Sequence, residues 1–145
     1  MITFVKVREA ALAATSSIDL NDTHLATLQT LSDSQYWTTR RSAATLLAQV
    51  SGKEATDLLI GKMSDNVREV REEVYGQLNS RTIGDESLDT LGSQLASQYW
   101  TVRRDVAKLI GKSQAQKATD LLIGKMSDNV EKFEKKSWRN SQPEL

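Results

Sequence analysis

The chain repeats itself at a fixed offset of 63 residues. The run Ser34-Gln35-Tyr36-Trp37-Thr38 returns as Ser97-Gln98-Tyr99-Trp100-Thr101, and the thirteen residues 55–67 return unchanged as 118–130. Without a gap, 34–67 and 97–130 agree at 22 of 34 positions. The offset also pairs Val7, Arg8, Glu9, Ser17, Asp22, Leu25, Thr27 and Leu28 with Val70, Arg71, Glu72, Ser80, Asp85, Leu88, Thr90 and Leu91. Residues 5–67 and 68–130 are therefore two copies of one unit. A single helix pair cannot bury its apolar face alone, so duplication points to stacked supersecondary elements.

Each unit reads as four helix-sized segments. Trp37, Ala43, Ala44, Leu47 and Val50 recur at helical spacing, as do Trp100, Val106, Ala107 and Ile110. The next segments carry Leu58, Leu59, Ile60 and Met63, copied as Leu121, Leu122, Ile123 and Met126. Sustained period-two alternation is missing, so strands are not expected. Nine helices are expected, near 3–15, 22–32, 35–50, 53–64, 66–79, 85–97, 99–112, 115–127 and 129–138. Asp22, Asp65, Asp85 and Asp128 stand where N-caps belong, the last with Glu131 three residues on.

Inside the 63-residue unit lies a weaker repeat of about half that length. Val7-Arg8, Thr39-Arg40, Val70-Arg71 and Val102-Arg103 each open a pattern of spaced apolar or small pairs, clearest as Val102-Arg103, Val106-Ala107 and Ile110-Gly111. Asp65 and Asp128 lie five residues before Val70 and Phe133, where such a motif often has an aspartate. This resembles the HEAT repeat in the short form named after the phycobilisome lyases, and the resemblance covers nearly the whole chain. Departures are Ser34 and Ser97 at the aspartate position, Thr39 for valine, Ser16, Ala48 and Asn79 for the terminal glycine, and Glu134 for the last arginine. The resemblance implies an all-α, right-handed α-solenoid of about four helical hairpins. The length fits one domain, over 1–140, and residues 141–145 read as a flexible tail. The segment 129–138, where charged residues surround Phe133 and Trp138, reads as a C-terminal capping helix.

Composition narrows function mainly by exclusion. Nineteen basic residues offset nineteen acidic ones, so no global positive field gathers nucleic acid or anionic membrane. With no cysteine and one histidine, thiol chemistry and the common zinc sites are out of reach. Phosphate loops and nucleophile elbows are missing as well. No apolar run nears a membrane span or a signal peptide. A cytoplasmic non-enzyme without cofactor or metal is the expectation.

Two sets of residues are candidates for binding: Tyr36, Trp37 and Arg41, and their copies Tyr99, Trp100 and Arg104. Tyr, Trp and Arg dominate interface hot spots. The competing reading makes each tryptophan a plug between neighbouring repeats. As twin patches they would lie about 20 Å apart and point the same way, given helix spacings of about 8–10 Å. A tryptophan followed by arginines is also similar to a feature of HEAT-like DNA glycosylases. The regularly spaced Arg8, Arg40, Arg71 and Arg103 read as structural, reaching loop carboxylates or carbonyls.

The resemblance puts the second helix of each hairpin on a concave face carrying Asp22, His24, Gln29, Glu54, Asp57, Lys62, Glu86, Asp89, Gln94, Lys117, Asp120 and Lys125. That mixed surface favours a protein partner, in the role of adaptor, chaperone or inhibitor. Nucleic acid bound through the Arg/Lys and Tyr-Trp patches is the alternative. A phycobiliprotein lyase or turnover factor is a further role that the resemblance implies.

Overall fold

A computed structural model describes residues 2–128, and among them the regular structure is entirely helical. Eight α-helices succeed one another: α1 (Ile2–Thr15), α2 (Leu25–Ser32), α3 (Trp37–Leu47), α4 (Lys53–Gly61), α5 (Arg68–Asn79), α6 (Leu88–Ser93), α7 (Trp100–Ile110) and α8 (Gln116–Lys125). Short 3-10 turns at Asp22–His24 and Asp85–Ser87 lead into α2 and α6, and another at Gln94–Ala96 follows α6. The ninth expected helix, near 129–138, and the tail over 141–145 lie outside the described residues.

Local chemistry sets the helix boundaries. The expected helix over 85–97 is broken into the short α6 between two 3-10 turns, because Asp89, Thr90, Gly92 and Ser93 are weak helix formers. Serine takes over a turn-closing role where the repeat departs from aspartate. Ser34 Oγ accepts the Tyr36 N–H and Ser97 Oγ the Tyr99 N–H, each at 3.2 Å, as Asp65 Oδ1 accepts the Val67 N–H at 2.9 Å.

The expected caps need correction. Asn21, rather than Asp22, caps the first 3-10 turn: its Oδ1 accepts the Thr23 N–H at 3.0 Å, while His24 Nδ1 accepts the Asn21 N–H at 3.1 Å. At the matching place Gly84 is the cap residue, and Asp85 instead accepts a hydrogen bond from Ser113 Oγ at 2.9 Å. Val67 is the cap residue of α5, with no side-chain hydrogen bond, because Asp65 closes the preceding turn and binds Arg40.

The chain divides into two compact units, residues 1–83 and 84–145. Helix α5 begins the second sequence copy but packs in the first unit, against α3 and α4. In that unit α3 is central, with α1, α2, α4 and α5 around it. Leu28, Ala43, Ala44, Leu47, Val50, Leu59, Ile60, Val70, Val74 and Leu78 are buried there. Each large aliphatic side chain so buried contributes about 1.5–3 kcal/mol by transfer from water.

Arg81 fastens the loop between α3 and α4. Its guanidinium donates to the Ala48, Val50 and Gly52 carbonyls at 3.2, 2.6 and 3.3 Å and to Thr56 Oγ1 at 2.8 Å. Burial lowers its pKa from the ordinary arginine value. Gly52 permits the bend with a φ of 105°, a left-handed value that disfavours a side chain.

The second unit is centred on α7, which meets α6, α8 and the 94–96 turn. Val102, Val106, Leu109 and Ile110 of α7 are buried with Leu88, Leu91, Leu95 and Ala118. Its corresponding loop is held differently, by Ser113 Oγ donating to Asp85 and accepting the Ala115 N–H at 3.1 Å.

Candidate binding site

Both tryptophans are the first residues of their helices, and the residues before them share one conformation. Tyr36 lies at φ −91° and ψ 117°, Tyr99 at φ −92° and ψ 118°. In both copies the guanidinium of the arginine three residues after Trp holds the preceding loop. Arg40 donates through Nη1 to the Ser34 carbonyl at 2.8 Å and Arg103 to the Ser97 carbonyl at 2.6 Å; Arg71 repeats the arrangement with the Asp65 carbonyl at 2.8 Å. Three of the four regularly spaced arginines thus bind a carbonyl six residues upstream, whereas Arg8 makes no side-chain hydrogen bond among the described residues.

Arg41 and Arg104 stand four residues beyond Trp37 and Trp100, which puts each on the same helix face as its tryptophan. In the first unit Tyr36 is 54% and Trp37 38% exposed, and Arg41 reaches Glu73 at 3.7 Å. Glu73 also accepts hydrogen bonds from Thr45 at 3.2 Å and Gln77 at 2.7 Å. In the second unit Tyr99 and Trp100 are half-buried. Arg104 lies over the Trp100 ring, 5.3 Å from its centroid, and pairs with Asp105 at 3.0 Å. A cation over an indole face is drawn by the ring quadrupole, so Arg104 and Trp100 are held as one aromatic and cationic surface. Neither tryptophan is fully enclosed.

The charge around these sets differs between the units. In the first, Asp65 takes Arg40 Nε at 2.7 Å and Nη2 at 3.1 Å, and Asn66 takes Nη2 at 3.3 Å. This hydrogen-bonded pairing raises the Arg40 pKa, against the effect of burial. Burial alone would raise the Asp65 carboxyl, but hydrogen bonds from Arg40 and the Val67 N–H, with the charges of Arg40 and Lys62, hold it below the usual carboxylate range. Lys62 pairs with Asp33. In the second unit Lys125 pairs with Asp128 at 3.0 Å, and Arg103 reaches that same carboxylate at 3.3 Å.

A cleft of about 290 Å³ opens here, lined by Leu95, Trp100, Arg103, Arg104, Ala107, Lys125 and Asp128. Two of the expected site residues, Trp100 and Arg104, therefore belong to one cleft, while Tyr99 is not among its lining. The sequence reading placed Arg103 with the structural arginines and Lys125 on a helix face, and it passed over Leu95. The signal that would have found the cleft is the 63-residue offset itself, which puts Ala96 where the first copy has Asp33.

Of the expected concave-face residues, Asp22, Gln29, Glu54, Glu86, Asp89, Lys117 and Asp120 are exposed, and His24, Asp57, Lys62, Gln94 and Lys125 are half-buried. Among the described residues no group of His, Asp and Glu could hold a metal ion, and no helix is long and apolar enough to cross a membrane. No family model matches the chain, and no curated protein matches it.

Proposed function

We propose that the chain is a non-catalytic binding scaffold: a right-handed α-solenoid of HEAT-like hairpins, closed by a capping helix near 129–138, that engages a protein partner. Tyr36, Trp37 and Arg41 form one contact set, and Tyr99, Trp100 and Arg104 the other. The observation that carries this reading is the exposure of Tyr36 and Trp37 at a helix start, matched in the copy by the Arg104 guanidinium held over Trp100. Rigid aromatic and arginine surfaces of this kind lose little side-chain freedom on binding, which concentrates affinity in few residues.

The test is the double substitution Trp37→Ala with Trp100→Ala, assayed by capture of protein from the source cell. Binding should fall by about 2 kcal/mol or more per site while helical circular dichroism and melting stay nearly unchanged. If the tryptophans are plugs, the same change costs about 3–5 kcal/mol of stability each, and the fold loosens before binding is lost. A mobility-shift assay with DNA and RNA separates the nucleic-acid alternative, since phosphate binding weakens steeply with salt. The solenoid reading carries its own test. Deleting residues 131–145 should further uncover the half-buried Leu121 and Leu122 of α8 and lower the melting temperature by several degrees, at about 2–8 °C per kcal/mol for domains of this size.

A further inference from the structure

The duplication places the same three cations in both units, and only the first neutralises them fully. There, Asp65 serves Arg40, Glu73 serves Arg41 and Asp33 serves Lys62. In the second copy Ala96 stands in place of Asp33, and the sequence has Lys136 in place of Glu73. Lys125 consequently draws on Asp128, the carboxylate whose counterpart in the first unit binds Arg40 through both oxygens. Arg103 keeps one longer contact with Asp128, at 3.3 Å, and the Ser97 carbonyl. It is only 6% exposed, and its buried Nη2 has no hydrogen-bond partner. Arg104 turns to Asp105. Among the described residues three cations around the cleft thus share two carboxylates, a surplus of one positive charge.

We propose that this cleft receives one carboxylate side chain, glutamate or aspartate, from the protein partner. The proposal rests on the reading of Trp100 and Arg104 as partner-facing, and it names what they recognise. Lys125 and Arg104 supply the direct contacts. The buried Arg103 adds its charge through the cleft wall, where low polarisability makes that charge felt more strongly than at an exposed site. Trp100, Leu95 and Ala107 provide an apolar lining against which the methylene groups of the same side chain pack. A monoanion matches the surplus of one. A nucleic-acid backbone would need a run of such sites, whereas the chain as a whole carries no net charge. At about 290 Å³ the cleft sits at the lower limit of ligand pockets, about 300–1,000 Å³, and suits a side chain better than a cofactor.

The experiment follows the indole N–H signals of Trp37, Trp100 and Trp138 by NMR in the full chain, assigned through Trp→Phe variants. The probe is acetyl-Leu-Glu-Leu-Glu-Leu-amide, with its glutamine isostere and a thymidine decanucleotide as controls. The glutamate peptide should shift the Trp100 signal saturably, and the glutamine peptide should bind about tenfold more weakly or worse. Ala96→Asp, at an exposed position, re-creates the partner that Asp33 gives Lys62. It should weaken the peptide by about two- to fivefold, the range of an exposed ion pair, without changing the melting curve. Lys125→Gln should weaken it at least as much.

Equal binding of the two peptides, an equal shift at Trp37, tighter binding of the oligonucleotide, or no shift at Trp100 would each overturn the carboxylate site. The scaffold reading is judged separately, by protein capture with the double tryptophan variant.

Discussion

Residues 55–67 and 118–130 are identical, yet their helices meet different surroundings. In α4, Leu59 and Ile60 are fully buried and Met63 is 2% exposed; in α8, Leu122 is half-buried, Ile123 is 59% exposed and Met126 is 83% exposed. The difference lies in the neighbours. Helix α4 packs against α3 and α5, and α5 brings its own buried row of Val70, Val74 and Leu78. Among the described residues helix α8 meets α6 and α7. Burial is therefore a property of what a segment packs against, and an apolar pattern states only what could be covered.

The largest effect expected from this contrast is in stability. Ile60→Ala removes side-chain volume from a closed core and should cost about 2–5 kcal/mol, whereas the same change at the exposed Ile123 should cost less than about 1 kcal/mol. Urea melts of the two single variants measure it. Equal costs would break the comparison, because the face of α8 would then be covered in solution as fully as that of α4.

A second contrast concerns the loops ahead of these helices. In the first unit four hydrogen bonds from Arg81 and the left-handed Gly52 hold the chain. In the second, Ala115 replaces Gly52 with an ordinary φ of −71°, and Ser113 ties the loop to Asp85. Arg81→Leu strands part-buried carbonyls and should cost about 2–4 kcal/mol, since charged hydrogen bonds contribute about 1.5–3 kcal/mol and their loss leaves acceptors unpaired. Ser113→Ala removes two hydrogen bonds, to Asp85 and from the Ala115 N–H, and should cost about 1–2 kcal/mol. Thermal unfolding of the two variants compares them. A smaller loss for Arg81→Leu than for Ser113→Ala would mean that the loop does not depend on the guanidinium.

These contrasts also mark what could be read from residue types. Helical spacing placed Ala43, Ala44, Leu47 and Val50 in the core, where they are, because a periodic apolar row has one buried solution. Trp37 shares that spacing but begins α3, with no preceding turn of its own helix to lie over, and it stays 38% exposed. Arg81 was illegible for a different reason. Its acceptors include backbone carbonyls 29 to 33 residues upstream, and a carbonyl leaves no trace in residue identity. The candidate aromatic and arginine sets were visible as a motif, but the cleft around Trp100 depends on which carboxylate each cation finds. That choice is a tertiary fact, hinted at only by Ala96 in the place of Asp33.

The smallest effect is a pH dependence that sharpens the charge difference between the units. Asp65, at 6% side-chain exposure, accepts two hydrogen bonds from Arg40 and one from the Val67 N–H, and its pKa is held below the ordinary value. A carboxyl lowered on folding binds protons more readily in the unfolded chain, so its contribution is fully present above the unfolded value of about 3.9 and disappears as pH falls through the lower folded value. Asp65→Asn keeps the shape but loses the charge, and should cost about 1–3 kcal/mol at neutral pH. Below pH 4 the gap between wild type and variant should narrow, as Asp65 itself becomes protonated and neutral. Denaturant melts at pH 7, 4 and 3 follow that gap. A gap that stayed constant to pH 3 would mean that the carboxylate charge is not what Arg40 needs, and that the first unit is held at this junction by geometry alone.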